Sequence, residues 1–209
     1  MVELLDYQKD FIKKELKPYL ENDDLKGAWS RGYDIARGSV DIDTWGLFFL
    51  SDLYDIFRWL FELGLPVLES MVDIPYQFFA RSDISSINIP SNIESIDEDA
   101  FTQCSHLKEV TFNEGLELIS FDAFGGCVSI NEIVFPASLK DVAPGAFQGC
   151  TGLRTVKVLG KTNVNFKAFS RCGNVDVYLP KKFSSSFKVF IEAVENDWDE
   201  ESYINIIMY

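Results

Sequence analysis

The sequence predicts an α+β fold, in which a short solenoid of parallel strands has a helical N-terminal domain before it and a C-terminal capping helix after it. Three observations lead to this prediction. A motif returns about every 23 residues through the second half of the chain, apolar residues recur at helical spacing through residues 1–73, and a further apolar helical face follows Pro180. A chain of 209 residues can bury enough apolar surface to fold without disulfides.

The repeat is most visible in an alanine–phenylalanine pair that occurs four times, at intervals of about 23 residues. A cysteine stands three residues after each phenylalanine, and an aliphatic residue stands three residues after each cysteine. Alternate residues of a strand face opposite sides, so the segment from Leu107 to Phe112 is expected to form a strand with an inward and an outward face. The predicted repeat core is Phe101, Cys104, Leu107, Val110, Phe124, Cys127, Ile130, Ile133, Phe147, Cys150, Leu153, Val156, Phe169 and Cys172.

The two ends of the repeat are irregular, as is usual for terminal units. A step of one repeat back from the first complete unit gives a leading unit that begins near Ile74, with Phe78 at the phenylalanine position. In this frame Arg81 replaces the cysteine. The last unit is one residue short after Val175, so its strand positions fall just before Pro180.

The motif resembles the BspA-type leucine-rich repeat, a family whose units have this same length. The resemblance covers about residues 74–180, roughly half of the chain. It implies a leucine-rich-repeat solenoid of four to five coils over residues 74–180. The remaining residues are predicted from their own patterns to form a helical domain of no recognised family, over residues 1–73, and a C-terminal capping segment, over residues 181–209.

Helical patterns occupy the rest of the chain. Apolar residues follow helical spacing over residues 4–20, where Pro18 should lie at or near a break, and again over residues 44–64. Residues 25–40 are also predicted to be helical. Because an open end of a solenoid exposes its core, we expect these helices to cover the first coil. A terminal helix over residues 181–196 should close the other end, and the apolar run that follows it should pack on the solenoid.

The four cysteines are predicted to be structural. Zinc ligands usually come in close pairs, whereas successive cysteines here are a full repeat apart, and all four share one repeat position. Stacked coils would place them in a buried column of small apolar side chains, with metal binding or redox chemistry as the alternatives.

Two candidate catalytic pairs also have simpler interpretations. Cys104 and His106 would form a nucleophile and a base if they met, but we expect a buried cysteine and an exposed histidine, whose side chains point apart. Asp52 and Asp55 could serve acid–base chemistry, yet with Arg58 they match a solvated helix face with an ion pair. We therefore predict that the protein is not an enzyme and uses no metal or cofactor.

The charge of the chain limits its partners. There are 33 acidic and 19 basic residues, a net charge of −14, and residues 1–73 carry 15 acidic against 8 basic residues. Such a field repels nucleic-acid backbones and anionic membranes, so the expected partner is a protein with a basic surface.

The N-terminus lacks the apolar run of a signal peptide, and charges interrupt the most hydrophobic stretch, residues 45–65. We expect a cytoplasmic location, in a bacterium or, if the gene belongs to a phage, in the infected cell.

The outward positions of the strands form the candidate binding surface, because solenoids hold partners on such faces. Its predicted residues are Glu109, Thr111, Asn113, Glu132, Val134, Thr155, Lys157, Asp176 and Tyr178. The predicted function is a protein-interaction module that binds through this strand face or through the acidic helical domain. The alternative, by analogy alone, is a phage- or mobile-element-encoded inhibitor that mimics nucleic acid and blocks a host nuclease or defence protein. The sequence leaves open the partner, the organism and the oligomeric state.

Overall fold

The computed structural model describes residues 6–22, 24, 27, 31, 58, 61, 67–196 and 202–209. The chain divides into two compact units, residues 1–71 and 72–209. Apart from residues 27, 31, 58 and 61, the predicted helices over residues 25–40 and 44–64 lie outside the described residues, as does the Asp52–Asp55 pair. The helical cover over the first coil therefore stays a prediction.

Helix α1 (Asp6–Leu20) belongs to the first unit. Pro18 lies in its last turn, and the helix ends two residues later, at Leu20, close to the predicted break. Leu16 is buried, and Glu15 forms an ion pair with Arg31. Among the described residues, no helix is long and apolar enough to cross a bilayer.

The second unit is a solenoid of five coils with strands on two opposite walls, which confirms the predicted fold class. The strand wall contains the longer strands, β2 (Ser86–Ile89), β4 (Glu109–Phe112), β6 (Glu132–Phe135), β8 (Thr155–Val158) and β10 (Gly173–Leu179). The opposite wall contains five two-residue strands, β1 (Asp73–Ile74), β3 (Ser95–Ile96), β5 (Leu118–Ile119), β7 (Asp141–Val142) and β9 (Asn163–Val164). All strand pairs are parallel, because every coil runs in the same direction.

A column of stacked phenylalanine rings fills the space between the walls. The rings of Phe101 and Phe124 lie 4.8 Å apart between centroids, and those of Phe124 and Phe147 lie 5.1 Å apart, with interplanar angles of 3° and 2°. This spacing is close to the usual separation of neighbouring strands, about 4.8 Å, so one ring per coil stacks without a gap. The alanine before each ring is fully buried, and its small side chain lets the coil pass close to its neighbours.

The first coil differs from the sequence prediction by one residue. Phe79, and not Phe78, continues the ring column, with its centroid 5.0 Å from that of Phe101. Ser82, and not Arg81, occupies the cysteine position, and its hydroxyl lies 3.4 Å from the Cys104 thiol. The first coil has one residue fewer before Ile87 than the second coil has at the equivalent place. For this reason, residues paired between these two coils are one position closer in the sequence on the opposite wall than on the strand wall.

The coils turn with residues in the left-handed backbone region. One such position precedes the alanine in the three middle coils, and another precedes each cysteine. Gln103 and Gly126 hold the second position in consecutive coils, with φ of 59° and 71°. Glycine adopts this conformation without steric conflict, whereas glutamine does so against its preference. The turns therefore follow from the repeat geometry rather than from one residue type.

The C-terminal end closes the solenoid with a helix and a strand. A 3-10 helix (Lys181–Phe187) leads into helix α2 (Lys188–Asn196), which confirms the predicted terminal helix, and its Phe187 and Phe190 are buried. The apolar run that follows forms strand β11 (Ser202–Met208), which pairs in parallel with the full length of β10.

Candidate functional site

The outward side chains of the strand wall form two rows across the strands. In the first row the backbone register pairs Ser86 with Glu109, and separately pairs Thr155 with both Glu132 and Asp176. In the second row it pairs Asn88 with Thr111, Val134 with Lys157, and Lys157 with Tyr178. The first row is mostly acidic or small and polar, whereas the second contains the apolar and aromatic members. The register thus places the strand members of the predicted site on the outward face of the strand wall.

The nine predicted binding residues are not equally available on this surface. The exposed ones are Glu109, Thr111, Glu132, Val134 and Lys157. The half-buried ones are Asn113, Thr155, Asp176 and Tyr178. Among them Val134, on the edge strand β6, keeps 37% of its surface exposed and marks the apolar part of the face.

Three of the predicted residues already have structural contacts. The Asn113 side-chain amide donates to Asn88 Oδ1 at 3.0 Å, so it links the first two strands of the wall. Asp176 accepts a hydrogen bond from Asn205 Nδ2 at 2.9 Å. The Lys157 ammonium lies 5.3 Å from the centre of the Tyr209 ring, a favourable cation–π distance. Their substitution would therefore disturb the wall as well as any partner.

The strand wall is interrupted between β4 and β6. Backbone pairing joins β2 to β4, and it joins β6, β8, β10 and β11 in one sheet, but these two sheets share no ladder. The rings of Phe112 and Phe135 face each other across the interruption at 6.3 Å. The predicted ladder is therefore two adjoining patches rather than one continuous sheet.

Strand β11 adds binding-face residues that the sequence analysis did not include. Its register places Asn205 beside Asp176 and Ile207 beside Tyr178, which extends both rows by one member. The sequence does contain a signal for this strand, since β-branched and aromatic residues dominate residues 202–209. The pattern was difficult to interpret because isoleucines stand at both inward and outward positions.

The predicted core residues lie inside the solenoid with one exception. Thirteen of the fourteen are buried, and Val110 is half-buried on β4, beside the interruption of the strand wall. Its counterparts in β6 and β8, Ile133 and Val156, are buried.

The four cysteines form no disulfide with one another, and all four are buried along the solenoid. Each thiol donates to the phenylalanine carbonyl of the preceding coil, as Cys127 does to Phe101 at 3.1 Å. Hydrogen bonding with the neighbouring Cys104 thiol and burial both raise the pKa of Cys127, and contact with Cys172 and burial raise that of Cys150. Protonated thiols such as those of Cys127 and Cys150 are poor nucleophiles and poor metal ligands, whereas the hydrogen bond with Cys150 lowers the pKa of the Cys172 thiol. In the described part of the chain, no group of three or more potential ligands could hold a metal ion.

The structure does not bring Cys104 and His106 together as a catalytic pair. The Cys104 thiol donates to the Phe79 carbonyl inside the solenoid at 2.9 Å. His106 is exposed, and its Nδ1 lies 3.4 Å from Asp83 Oδ1 on the surface. A nucleophile and its base need direct hydrogen-bond contact, so this pair has the geometry of two unrelated residues.

Comparison with known proteins identifies the repeat. A family model described as the BspA type leucine rich repeat region matches residues 72–190 in six copies, which is more than half of the chain. No curated protein matches the chain.

Solved structures of leucine-rich-repeat proteins are similar to parts of the chain. One from T. pallidum is 30% identical, covers 56% of this chain and 54% of its own, and has a TM-score of 0.49. Another, from Bacteroides capillosus, is 30% identical over 43% of this chain and 64% of its own, with a TM-score of 0.40. The chain thus spans about half the length of the T. pallidum protein.

Proposed function

The chain belongs to the BspA-type leucine-rich-repeat family, and from this premise we propose that it is a non-enzymatic module that binds a partner protein through the strand wall. The leucine-rich-repeat fold is suited to protein interaction because its stacked strands present a regular surface with many separate side chains. The observation that carries the proposal is the second row of the strand wall, where Val134, Tyr178 and Ile207 accompany Lys157 on adjacent strands.

The chemistry of this row matches that of protein-binding surfaces. Aromatic and aliphatic side chains supply the apolar area that stabilises a complex, while polar neighbours fix its register. Val134 is exposed, and Tyr178 and Ile207 are half-buried, so part of their apolar surface still faces solvent. The acidic first row, with Glu109 and Glu132, would favour a partner with basic groups at the edge of the contact.

Matched valines provide the test of this proposal. A photo-reactive benzoylphenylalanine replaces Val134 on the strand wall or Val189 on helix α2, where the side chain is 78% exposed. We expect a stoichiometric cross-linked partner from position 134 and none from position 189.

In addition, Val134→Glu should weaken capture of that same partner about tenfold, whereas Val189→Glu should change it by less than about twofold. Equal cross-linking from both positions, or capture that survives Val134→Glu, would contradict the proposal.

Salt dependence separates this proposal from the nucleic-acid mimic, which stays a prediction of the sequence. A mimic binds through many charge contacts and should lose affinity steeply between about 50 and 300 mM salt. Binding through the second row should change by only a few-fold over that range. If Glu109→Lys with Glu132→Lys leaves binding intact, the first row is not the acidic contact surface.

We also propose a reducing, cytoplasmic location, which is supported by four cysteines that form no disulfide with one another. Protein taken from its native source and denatured without reductant should react with four equivalents of maleimide. A lower number would show that the thiols are oxidised in the cell and would contradict this location.

A further inference from the structure

The opposite wall of the solenoid carries an open groove that the strand-wall proposal does not use. It spans four coils and has a volume of about 480 Å³, within the range of about 300–1,000 Å³ that is usual for ligand sites. The residues that line it are Tyr76, Asp97, Glu98, Leu118, Ser120, Phe121 and Ala143. Its lining combines aromatic and aliphatic side chains with carboxylates.

Aromatic and acidic side chains alternate along this groove. The register of the short strands pairs Ile74 with Ile96 and Ile96 with Ile119, so the residues two positions later, Tyr76, Glu98 and Phe121, occupy equivalent places in consecutive coils. Tyr76 is 52% exposed and Phe121 is 47% exposed, although both carry large rings. Exposed rings that flank a carboxylate leave apolar surface beside a negative charge.

The carboxylates of this region repel one another. Burial, together with the charge of Asp73, raises the pKa of Asp97. Burial and the charges of Asp99 and Glu98 raise the pKa of Asp122, which adjoins Phe121 in the chain. Such shifts mean that the folded protein holds negative charge here at a cost in free energy.

This negative charge lacks a cation in the described part of the chain. No ion pair of the described residues involves Asp97, Glu98, Asp99 or Asp122. Lys140, on the same wall, is already paired with Glu117 at 2.6 Å. Asp122 Oδ1 is also buried without a hydrogen-bond donor. A cation brought from outside would neutralise the repulsion.

We propose that this groove binds an arginine or lysine side chain carried by an exposed basic segment of a partner protein. The aliphatic stem of that side chain would pack on Leu118 and Ala143. Its charged end would lie between the carboxylates of Asp97 and Glu98 and against the face of Tyr76 or Phe121, where carboxylate and ring attract the same cation. Phosphate-bearing partners are repelled by the same charges. The groove is separate from the strand wall, so the proposal for either surface can be wrong while the other is correct.

A matched peptide pair tests the charge requirement. The probe is the acetylated, amidated pentapeptide Ser-Arg-Leu-Arg-Ser, and its control has citrulline, which is neutral and nearly isosteric, in place of both arginines. Two-dimensional NMR of the ¹⁵N-labelled full chain at about 20 mM salt, where charge contacts are weakly screened, follows the titration. We expect the arginine peptide to shift the amide signals of Tyr76, Leu118 and Phe121, and to bind at least about fivefold more tightly than the citrulline peptide.

Matched charge-removing variants test the location. Asp97→Asn with Glu98→Gln should weaken arginine-peptide binding at least about fivefold, because the cation loses both carboxylates. Glu109→Gln with Glu132→Gln removes the same charge from the strand wall and should leave binding within about twofold. Equal affinity for the two peptides, equal weakening by the two double variants, or signal shifts confined to the strand wall would each overturn the proposal. The partner capture from position 134 is a separate measurement and does not depend on this result.

Discussion

At the scale of single residues, the phenylalanine carbonyls explain why cysteine recurs in this repeat. The Phe101 carbonyl accepts the Cys104 amide of its own coil at 3.2 Å and the Cys127 thiol of the next coil at 3.1 Å. A side chain at this position must be small, must tolerate burial and must supply a donor, and cysteine meets all three conditions. Ser82 occupies the same position in the first coil and also carries a donor.

Substitution of Cys127 tests this account. Cys127→Ala removes the sulfur and its hydrogen bond, and should lower the free energy of unfolding by about 1–2 kcal/mol in urea denaturation. Cys127→Asp places a carboxylate in the same buried position and should prevent stable folding. Val128→Ala, an exposed neighbour, should change stability by less than about 0.5 kcal/mol. A Cys127→Ala protein as stable as the parent would show that the thiol contributes no packing.

Asp122 should oppose folding at neutral pH. Its pKa is raised above the ordinary value of 3.8 by burial and by Asp99 and Glu98, so the charged form is less favourable in the folded chain than in the unfolded chain. Asp122→Asn should therefore raise the free energy of unfolding at pH 7 by about 0.5 kcal/mol, a value already reduced for solvent screening at this partly exposed site. The gain should shrink as pH falls through the raised pKa, and should vanish below the ordinary value, where the native residue is neutral in both states.

Urea denaturation at several pH values between neutral and acidic measures this effect. Glu132→Gln, at an exposed carboxylate of the strand wall, is the control and should show little change. A stability gain for Asp122→Asn that is independent of pH would mean that charge repulsion is not its cause.

At the scale of secondary-structure elements, β11 decides how the solenoid ends. It pairs with β10 over seven residues, from Gly173 with Ser202 to Leu179 with Met208, and so covers an edge that would otherwise expose backbone donors and acceptors. Tyr209 fixes its end, since the Tyr209 hydroxyl donates to the Val158 carbonyl at 3.0 Å. The strand therefore closes the wall and enlarges the candidate binding face.

The side chains of β11 allow a comparison of its inner and outer faces. Ile206 pairs in register with the buried Val177 and is half-buried, whereas Tyr203 is 65% exposed. Ile206→Ala should lower the free energy of unfolding by about 1–2 kcal/mol, while Tyr203→Ala should change it by less than about 0.5 kcal/mol. Thermal unfolding followed by circular dichroism measures both. Equal effects of the two substitutions would mean that β11 does not pack on the solenoid as described.

At the scale of the whole molecule, charge is the dominant feature. The net charge is −14, and carboxylates concentrate in the first half of the chain as well as along the groove of the opposite wall. A large net charge keeps a protein soluble but weakens its compact state through self-repulsion. Function as a binding module fits this distribution, because the charges select the sign of a partner without specifying its sequence.

Stability should therefore increase with moderate salt. Raising sodium chloride from about 20 to about 300 mM should raise the midpoint of thermal unfolding by roughly 2–4 °C, because the ions screen repulsion between carboxylates. The triple variant Asp97→Asn, Glu98→Gln, Asp122→Asn should respond less, since it has lost part of that repulsion. A midpoint that falls with salt, or that rises equally in both proteins, would contradict this explanation.

The candidate site could be predicted in part. The outward positions of the strand wall follow from alternation, so Glu109, Thr111 and Val134 were identified from the sequence and lie on the expected surface. The groove on the opposite wall was missed, because Tyr76, Glu98 and Phe121 are far apart in the chain and meet only through the register of the coils. The residue missing before Ile87 also shifted the sequence alignment of the first coil by one position, so that Arg81 and not Ser82 was placed at the cysteine position.

The sequence by itself determined the repeat, and with it the coil length, the parallel strands and the buried columns of phenylalanine and cysteine. It could do so because each coil imposes the same local packing, and a periodic requirement leaves a periodic pattern. The tertiary structure alone decided the first-coil register, the break between β4 and β6, the pairing of β11 with β10 and the acidic groove. These features depend on contacts between residues of different coils or at the solenoid ends, where neighbours in space, and not the repeat, set the conformation.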